Sequence, residues 1–356
     1  MRHLLITAHW LLITFLAACS SPTPQPAMPE AITFYVIRLS PPALLEYSDD
    51  SALQRELPLD FPCGLAAVFP APRGPRLALE LTCINGPVVQ VLDTESGGRT
   101  TPFTESDSHF LAWTPDGRGL ILRVDSIAYP RLVRFDVSDS SLEQFPLTAF
   151  TYDLAFAPDA KSLTYSFSRG LGLGSELWAA TPSASRTWQV RAEAAQVITF
   201  ARWSPDGKHI AFINLPDSAT PFPIGELWVM DSDGGNARPL ATADAGHGYA
   251  AAWSPDSTRL AFVARENPGD AAVEQAAGAL VSNIYLVEVG TGVIAPITKF
   301  GNTLVEAPVW SPDGTRIAFS AVTDGTIQVW LADPASGEVT PLESGGPACC
   351  PGWMRK

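Results

Sequence analysis

The sequence predicts an all-β protein: a β-propeller of seven four-stranded blades closed by pairing of the two termini, with six blades as the alternative. Three observations predict it. Gly and Pro number 27 and 32 in 356 residues, a density that interrupts long helices. Ten Trp and 17 Phe supply the large side chains that suit packed sheets. An aromatic followed by a tight-turn tetrapeptide recurs along the chain. A period of about 40–50 residues with four short strands per unit describes a propeller blade.

The chain opens MRHLLITAHWLLITFLAACSS: one Arg, an apolar run from Leu4 to Leu16, then small residues before a Cys. That is the layout of an export signal. The run is too short, and too interrupted by His9 and Trp10, for a permanent span. Leu16-Ala17-Ala18-Cys19 resembles the bacterial lipobox. The resemblance implies that residues 1–18 are a lipoprotein signal peptide, removed once the Cys19 thiol carries a fatty acid such as palmitate. Residues 19–30, which include SSPTPQPAMP, read as a Pro/Ser-rich extended tether, and residues 31–356 as the propeller. Net charge is −14, and residues 1–18 hold only Arg2 among the charged groups. So acidic a chain argues against nucleic acid, which demands clustered Lys and Arg. The location implied is the bacterial cell envelope, lipid-anchored on the extracytoplasmic side. Ser20 rather than Asp after Cys19 implies the outer membrane, if the organism has one.

Trp113-Thr-Pro-Asp-Gly117, Trp203-Ser-Pro-Asp-Gly207, Trp253-Ser-Pro-Asp-Ser257 and Trp310-Ser-Pro-Asp-Gly314 are clear copies of the repeat. Phe156-Ala-Pro-Asp-Ala160 and Phe69 with Pro70-Ala-Pro-Arg-Gly74 are degenerate copies, and Trp353 stands in the same phase. Successive aromatics lie 44, 43, 47, 50, 57 and 43 residues apart. An apolar strand A ends at each aromatic. In the turn, Pro fixes φ and Asp bonds the backbone beyond it. Strand B follows, as at Ile210-Ala-Phe212 or Ile317-Ala-Phe319, and strand C after it, as at Leu227-Trp-Val-Met230. Strand D carries a Pro before an apolar residue, at Pro102, Pro146, Pro239, Pro296 and Pro341. The chain ends set the blade count. Counting back from Phe69, residues 31–60 supply strands B, C and D of a blade lacking strand A. Ala348 to Trp353 supplies a strand A lacking the rest. Six complete blades and this composite make seven, since an open ring leaves sheet edges unpaired.

These repeats resemble those of the TolB-type β-propeller family, with its WD40-like Trp-Ser-Pro-Asp-Gly motifs, over nearly all of residues 31–356. The resemblance implies a propeller outside the cytoplasm. It does not imply the function of TolB itself.

In an antiparallel blade, successive connections emerge on opposite faces. The A–B and C–D turns share one face and are tight. The B–C and D–A connections share the other and hold the insertions, among them Ser168–Ser175, Asn214–Gly225 and Arg265–Ser282. Irregular loops on a rigid scaffold are where recognition concentrates. Asp231-Ser-Asp-Gly-Gly-Asn236 opens like a calcium loop, but Thr242 stands where the bidentate Glu belongs, so it reads as a hairpin turn. Asp116, Asp159, Asp206, Asp256 and Asp313 recur in equivalent turns of different blades and are turn formers. His109 and His247 precede strand A of their blades near the channel mouth, with Tyr152, Asp153, Tyr249 and Glu306 in comparable places. These six are the ligand-binding candidates, since small molecules favour such mouths. The two His have no clear carboxylate partner in sequence, so no metal, cofactor or catalytic residue is assigned. There is no Gly-x-Ser-x-Gly elbow. The function expected is a membrane-tethered extracytoplasmic binding module for an envelope protein, peptide or glycan. The alternative is a metal-dependent propeller enzyme of lyase or lactonase type at the channel mouth.

Beyond Cys19 the chain holds Cys63, Cys83, Cys349 and Cys350. An exported chain meets an oxidising compartment, so pairing is expected. Cys63 starts strand A of the first full blade and Cys83 ends its strand B, so the two face each other across the hairpin. Cys349 and Cys350 begin strand A of the composite blade next door. Either they bridge each other, or one of them links to Cys63 and staples the two ends of the ring.

Overall fold

A computed structural model of the protein describes residues 32–48, 51–103, 107–125, 130–218, 223–244, 250–270 and 280–355. They form seven four-stranded antiparallel sheets, the blades of a propeller ring. Six blades take their strands A to D in chain order. The first opens with Gly64–Pro70 and the sixth ends with Val339–Pro341. The seventh joins Ala348–Arg355, as strand A, to Ile32–Leu39, Pro42–Tyr47 and Leu53–Pro58. The two ends of the chain therefore close the ring, and the six-blade alternative falls. Among the described residues no helix is long and apolar enough to cross a membrane.

Burial is graded from strand B outwards, which explains the composition of each strand. Strand B is sandwiched between neighbouring blades on both faces, and Leu163–Phe167 is buried at every position. Leu260-Ala-Phe-Val263 of the fifth blade reads as a continuous apolar run, whereas Leu163–Phe167 includes Thr164 and Ser166. Strand D is the outer edge, and Leu142–Gln144 and Ile294–Pro296 are exposed throughout. Pro102, Pro146, Pro296 and Pro341 end or closely follow these two- to three-residue strands. A short edge ending at a residue with no N–H offers little to a foreign strand. The core is a set of seams between blades. Ala211, Ile213, Leu227 and Val229 of the fourth blade, for example, pack with Trp253, Leu260, Phe262 and Val287 of the fifth.

The repeated motif fixes both a turn and a seam. Ser204 Oγ donates to Asp206 Oδ1 at 2.6 Å, and the same carboxylate oxygen accepts the Lys208 N–H at 3.1 Å. Ser204 Oγ accepts the His209 N–H at 2.9 Å. Gly207 closes the turn at φ 72°, where a Cβ is disfavoured. Thr114 and Asp116, Ser254 and Asp256, and Ser311 and Asp313 repeat these bonds. The aromatic before the turn is the seam. Trp113, Trp253 and Trp310 donate Nε1–H to the carbonyls of Phe69, Arg202 and Ala252 in the preceding blade, at 3.0, 3.0 and 3.1 Å. Trp203 donates instead to Thr164 Oγ1 at 3.1 Å. The calcium-like sequence at Asp231 forms the C–D hairpin of the fourth blade, with Asp233 Oδ1 accepting the Gly235 N–H at 2.9 Å.

The closing ladder keeps the register of a covalently continuous blade. Trp353 faces Phe34 as Trp203 faces Ile210, Trp253 faces Leu260 and Trp310 faces Ile317. Gly352 lies against the buried Tyr35 ring, and a Cβ there would come within 2.5 Å of the phenol oxygen.

Candidate functional site at the inner strands

Strand A lines the inside of the ring, and among the described residues its pairing with strand B is interrupted by a bulge in six blades. A bulge releases backbone groups from the ladder and re-aims neighbouring side chains. Phe200, Ala307 and Cys350, each three residues before its blade's Trp, sit there at φ 54°, 48° and 60°. The freed N–H groups need acceptors, and the preceding blade provides them. Glu80 Oε2 accepts from Phe110 N at 3.2 Å, Asp153 Oδ2 from Ala201 N at 2.9 Å, and Ser320 Oγ from Cys350 N at 3.2 Å.

Tyr152 and Asp153 belong to one such seam. The Tyr152 hydroxyl donates to the Ile198 carbonyl at 2.5 Å, and burial pushes the phenol up to about 12. Asp153 is buried and also takes Arg202 Nη1 at 2.8 Å. Both side chains hold the third blade to the fourth. His109 lies within strand A, Asp107–Trp113, rather than before it. It has two carboxylate neighbours: Nδ1 is 3.2 Å from Glu80 Oε1, and Nε2 is 3.7 Å from Asp125 Oδ2. Asp125 in turn pairs with Arg123 at 2.9 Å. Aligning strands A and B on Trp113 and Leu120 puts Asp125 opposite Ser108, next to His109, and the bulge moves it opposite Asp107, so its approach has a signal in the sequence. Glu80 comes from the preceding blade, and no spacing rule reveals it.

Glu306 sits at the bulge of strand A in the sixth blade, Leu304–Trp310. It lines a cavity of about 470 Å³ together with Phe69 of the first blade, Trp310 of the sixth, and Cys349, Cys350 and Trp353 of the seventh. This cavity lies where the ring closes. His247 and Tyr249 lie outside the described residues. The candidates thus fall into three groups around the inner strands: His109 at the first-to-second seam, Tyr152 with Asp153 at the third-to-fourth, and Glu306 with Cys349 and Cys350 at the closure. Cys63 and Cys83 are joined, with Cα atoms 5.0 Å apart, and Cys349 is joined to Cys350. All four pack into one apolar cluster with Tyr35, Leu79, Leu81 and Met354.

A second cavity, about 600 Å³, lies between the fourth and fifth blades and is lined by His209, Asp231, Arg238, Arg259 and Glu288. Its cations are already engaged: Arg238 donates to the Val289 carbonyl, and Arg259 lies 4.9 Å from the Trp310 ring centroid. Among the described residues, no three His, Cys, Asp or Glu side chains are grouped so as to hold a metal ion.

Seven blades, four of them locked by a Trp and a Ser/Thr-Pro-Asp turn, define a repeat propeller whose candidate residues lie along its inner strands. The profile described as TolB beta propeller domain matches residues 186–354 of this chain. A TolB homolog of Protochlamydia amoebophila is 45% identical over 49 residues, covering 14% of this chain and 10% of that one. The chain spans a fifth or less of the length of the curated relatives it matches. Among solved structures, the putative TolB of Agrobacterium tumefaciens superposes with a TM-score of 0.51 at 18% identity, covering 76% of this chain and 98% of that one. The oligogalacturonate lyase of Vibrio parahaemolyticus gives 0.60 at 12% identity, covering 87% and 93%. At such identities these two likenesses speak for the fold alone.

Proposed function

We propose that the protein is a membrane-tethered, extracytoplasmic binding module that recognises an envelope protein, peptide or glycan through its B–C and D–A loop face. The observation that carries this reading is the difference between the two faces. One is filled by hydrogen-bonded hairpins. The other carries the irregular connections, on which Phe150, Leu171 and Leu173 are 59, 70 and 65% exposed, while Leu142 and Val293 are 46 and 60% exposed at the hairpins; irregular loops on a rigid scaffold are where recognition concentrates. The TolB-type fold and the export-signal layout support an envelope location. Leu16-Ala17-Ala18-Cys19 supports a lipid on Cys19.

The test is cross-linking in the native envelope, comparing the parent chain with Phe150→Asp/Leu171→Asp/Leu173→Asp and with Cys19→Ala. The loop variant should fold normally and lose its cross-linked partner; a partner retained in full would overturn the face assignment. Cys19→Ala should be unlabelled by fatty acid. If it is still processed and acylated, the tether is wrong. Stoichiometric metal in purified protein, with cleavage of a glycan, would favour the lyase-type reading.

A further inference from the structure

We propose that Cys349–Cys350 is a site of thiol–disulfide exchange with a dithiol, and that its reduction remodels the wall of the ring-closing cavity. The inference is independent of what the loop face binds.

The bridge has no evident use as a staple. Cross-linking stabilises a fold through the length of chain it closes, and adjacent cysteines enclose none. Cys63–Cys83, by contrast, spans a sequence separation of 20. Nor is the vicinal bridge needed for the backbone it sits in. Phe200 and Ala307 occupy the same bulge position in other blades and adopt the same left-handed conformation with no bridge beside them. The closing ladder from Ile32↔Arg355 to Arg38↔Ala348, and the bond from Cys350 N–H to Ser320 Oγ, remain available to hold the strand after reduction.

What distinguishes the pair is its position. Both cysteines line the 470 Å³ cavity with Trp310 and Trp353, whereas Cys63 and Cys83 do not. Cys349 is 8% exposed and Cys350 is more open, so Cys350 Sγ is the atom an incoming thiolate reaches. Attack there forms a mixed disulfide and releases the Cys349 thiolate. The second thiol of the reagent then attacks the reagent's own sulfur in that mixed disulfide and releases the Cys350 thiolate. The dithiol is oxidised to a disulfide, the cysteine pair gains two electrons, and the two protons lost by the dithiol end on the two thiols. Unbonded sulfurs cannot stay at bonding distance, so they spread into the cavity beside the two indoles.

The folded full chain should be treated with graded dithiothreitol, alkylated and peptide-mapped, with circular dichroism and tryptophan emission followed in parallel. Cys349 and Cys350 should become alkylated at about tenfold lower dithiothreitol than Cys63 and Cys83, with the β-sheet signal intact and tryptophan emission shifted. Phenylarsine oxide, which captures neighbouring thiols, should then bind once per chain. A Cys63→Ser/Cys83→Ser variant should keep the response, and Cys349→Ser/Cys350→Ser should lose it. Reduced thioredoxin run alongside separates the sources: reduction by it marks a protein-borne dithiol, and reduction by dithiothreitol alone marks a small one. If both bridges yield together, or the vicinal pair yields only as the chain unfolds, the proposal is overturned.

Discussion

The turn aspartates recur around the ring, and their hydrogen bonds assign each to the turn it builds. At Asp206, Asp256 and Asp313 the hydroxyls of Ser204, Ser254 and Ser311 are the main cause holding the carboxyl below its ordinary 3.8, helped by backbone N–H groups and opposed by burial. A carboxyl lowered by folding contributes stability that is complete above its unfolded pKa and disappears as pH falls through its folded one. Asp206→Asn/Asp256→Asn/Asp313→Asn should therefore melt below the parent at pH 7. The gap should narrow as pH drops below about 4. Thermal melts from pH 7 to pH 3 check this, and a gap of constant size across the window would count against it. Tyr152, Asp153 and His109 carry the complementary lesson. Their inner-strand setting is legible from distance to the motif, but their partners Ile198, Ala201 and Glu80 lie on other blades, and a single chain read in order does not show which blade faces meet.

Strands A, B and C were legible because aromatic spacing and apolar runs survive in nearly every unit. The bulges were not. One extra residue in strand A shifts the pairing without altering the apolar character of the stretch, and so His109, expected ahead of its strand, lies inside it. The strand ends were more predictable, because the Trp that terminates strand A has a seam to fill. Trp253 is buried among Ala211, Leu260, Phe262 and Val287, and its indole N–H satisfies the Arg202 carbonyl. Trp253→Ala removes that packing and leaves the carbonyl without its donor, at a cost of about 3–5 kcal/mol. Urea unfolding monitored by circular dichroism should show the midpoint falling accordingly; an unmoved midpoint would mean that the indole is not part of the seam.

At the scale of the whole ring, closure keeps the register of the other A–B pairings but lacks a covalent turn, and its ladder runs two pairs beyond Trp353, to Ile32↔Arg355. In the fourth blade six residues, Ser204 to His209, separate Trp203 from its cross-strand partner Ile210. Across the closure Trp353 meets Phe34 in the same register, with the two ring centroids 4.8 Å apart and the rings tilted by 35°. The chain break therefore stands where a Ser-Pro-Asp-Gly turn would be, and a permuted chain can restore it. Trp353 joined to Phe34 through Ser-Pro-Asp-Gly-Lys-His, with new ends opened in the D–A connection between Leu147 and Thr148, should fold to the same ring. It should unfold in one cooperative transition, because the closing strands no longer have to find each other as separate ends, which offsets the loss of the buried Met354 side chain. The parent truncated before Ala348 should behave in the opposite way. It leaves Ile32–Leu39 without its inner neighbour, strips the cover from Tyr35 and Ile37, and exposes an unpaired strand edge. Size-exclusion chromatography should find that truncated chain aggregated, and a peptide spanning residues 346–356 added during refolding should return it to a monomer. A truncated chain that stays monomeric and melts like the parent would show that the ring is held by its six continuous blades alone.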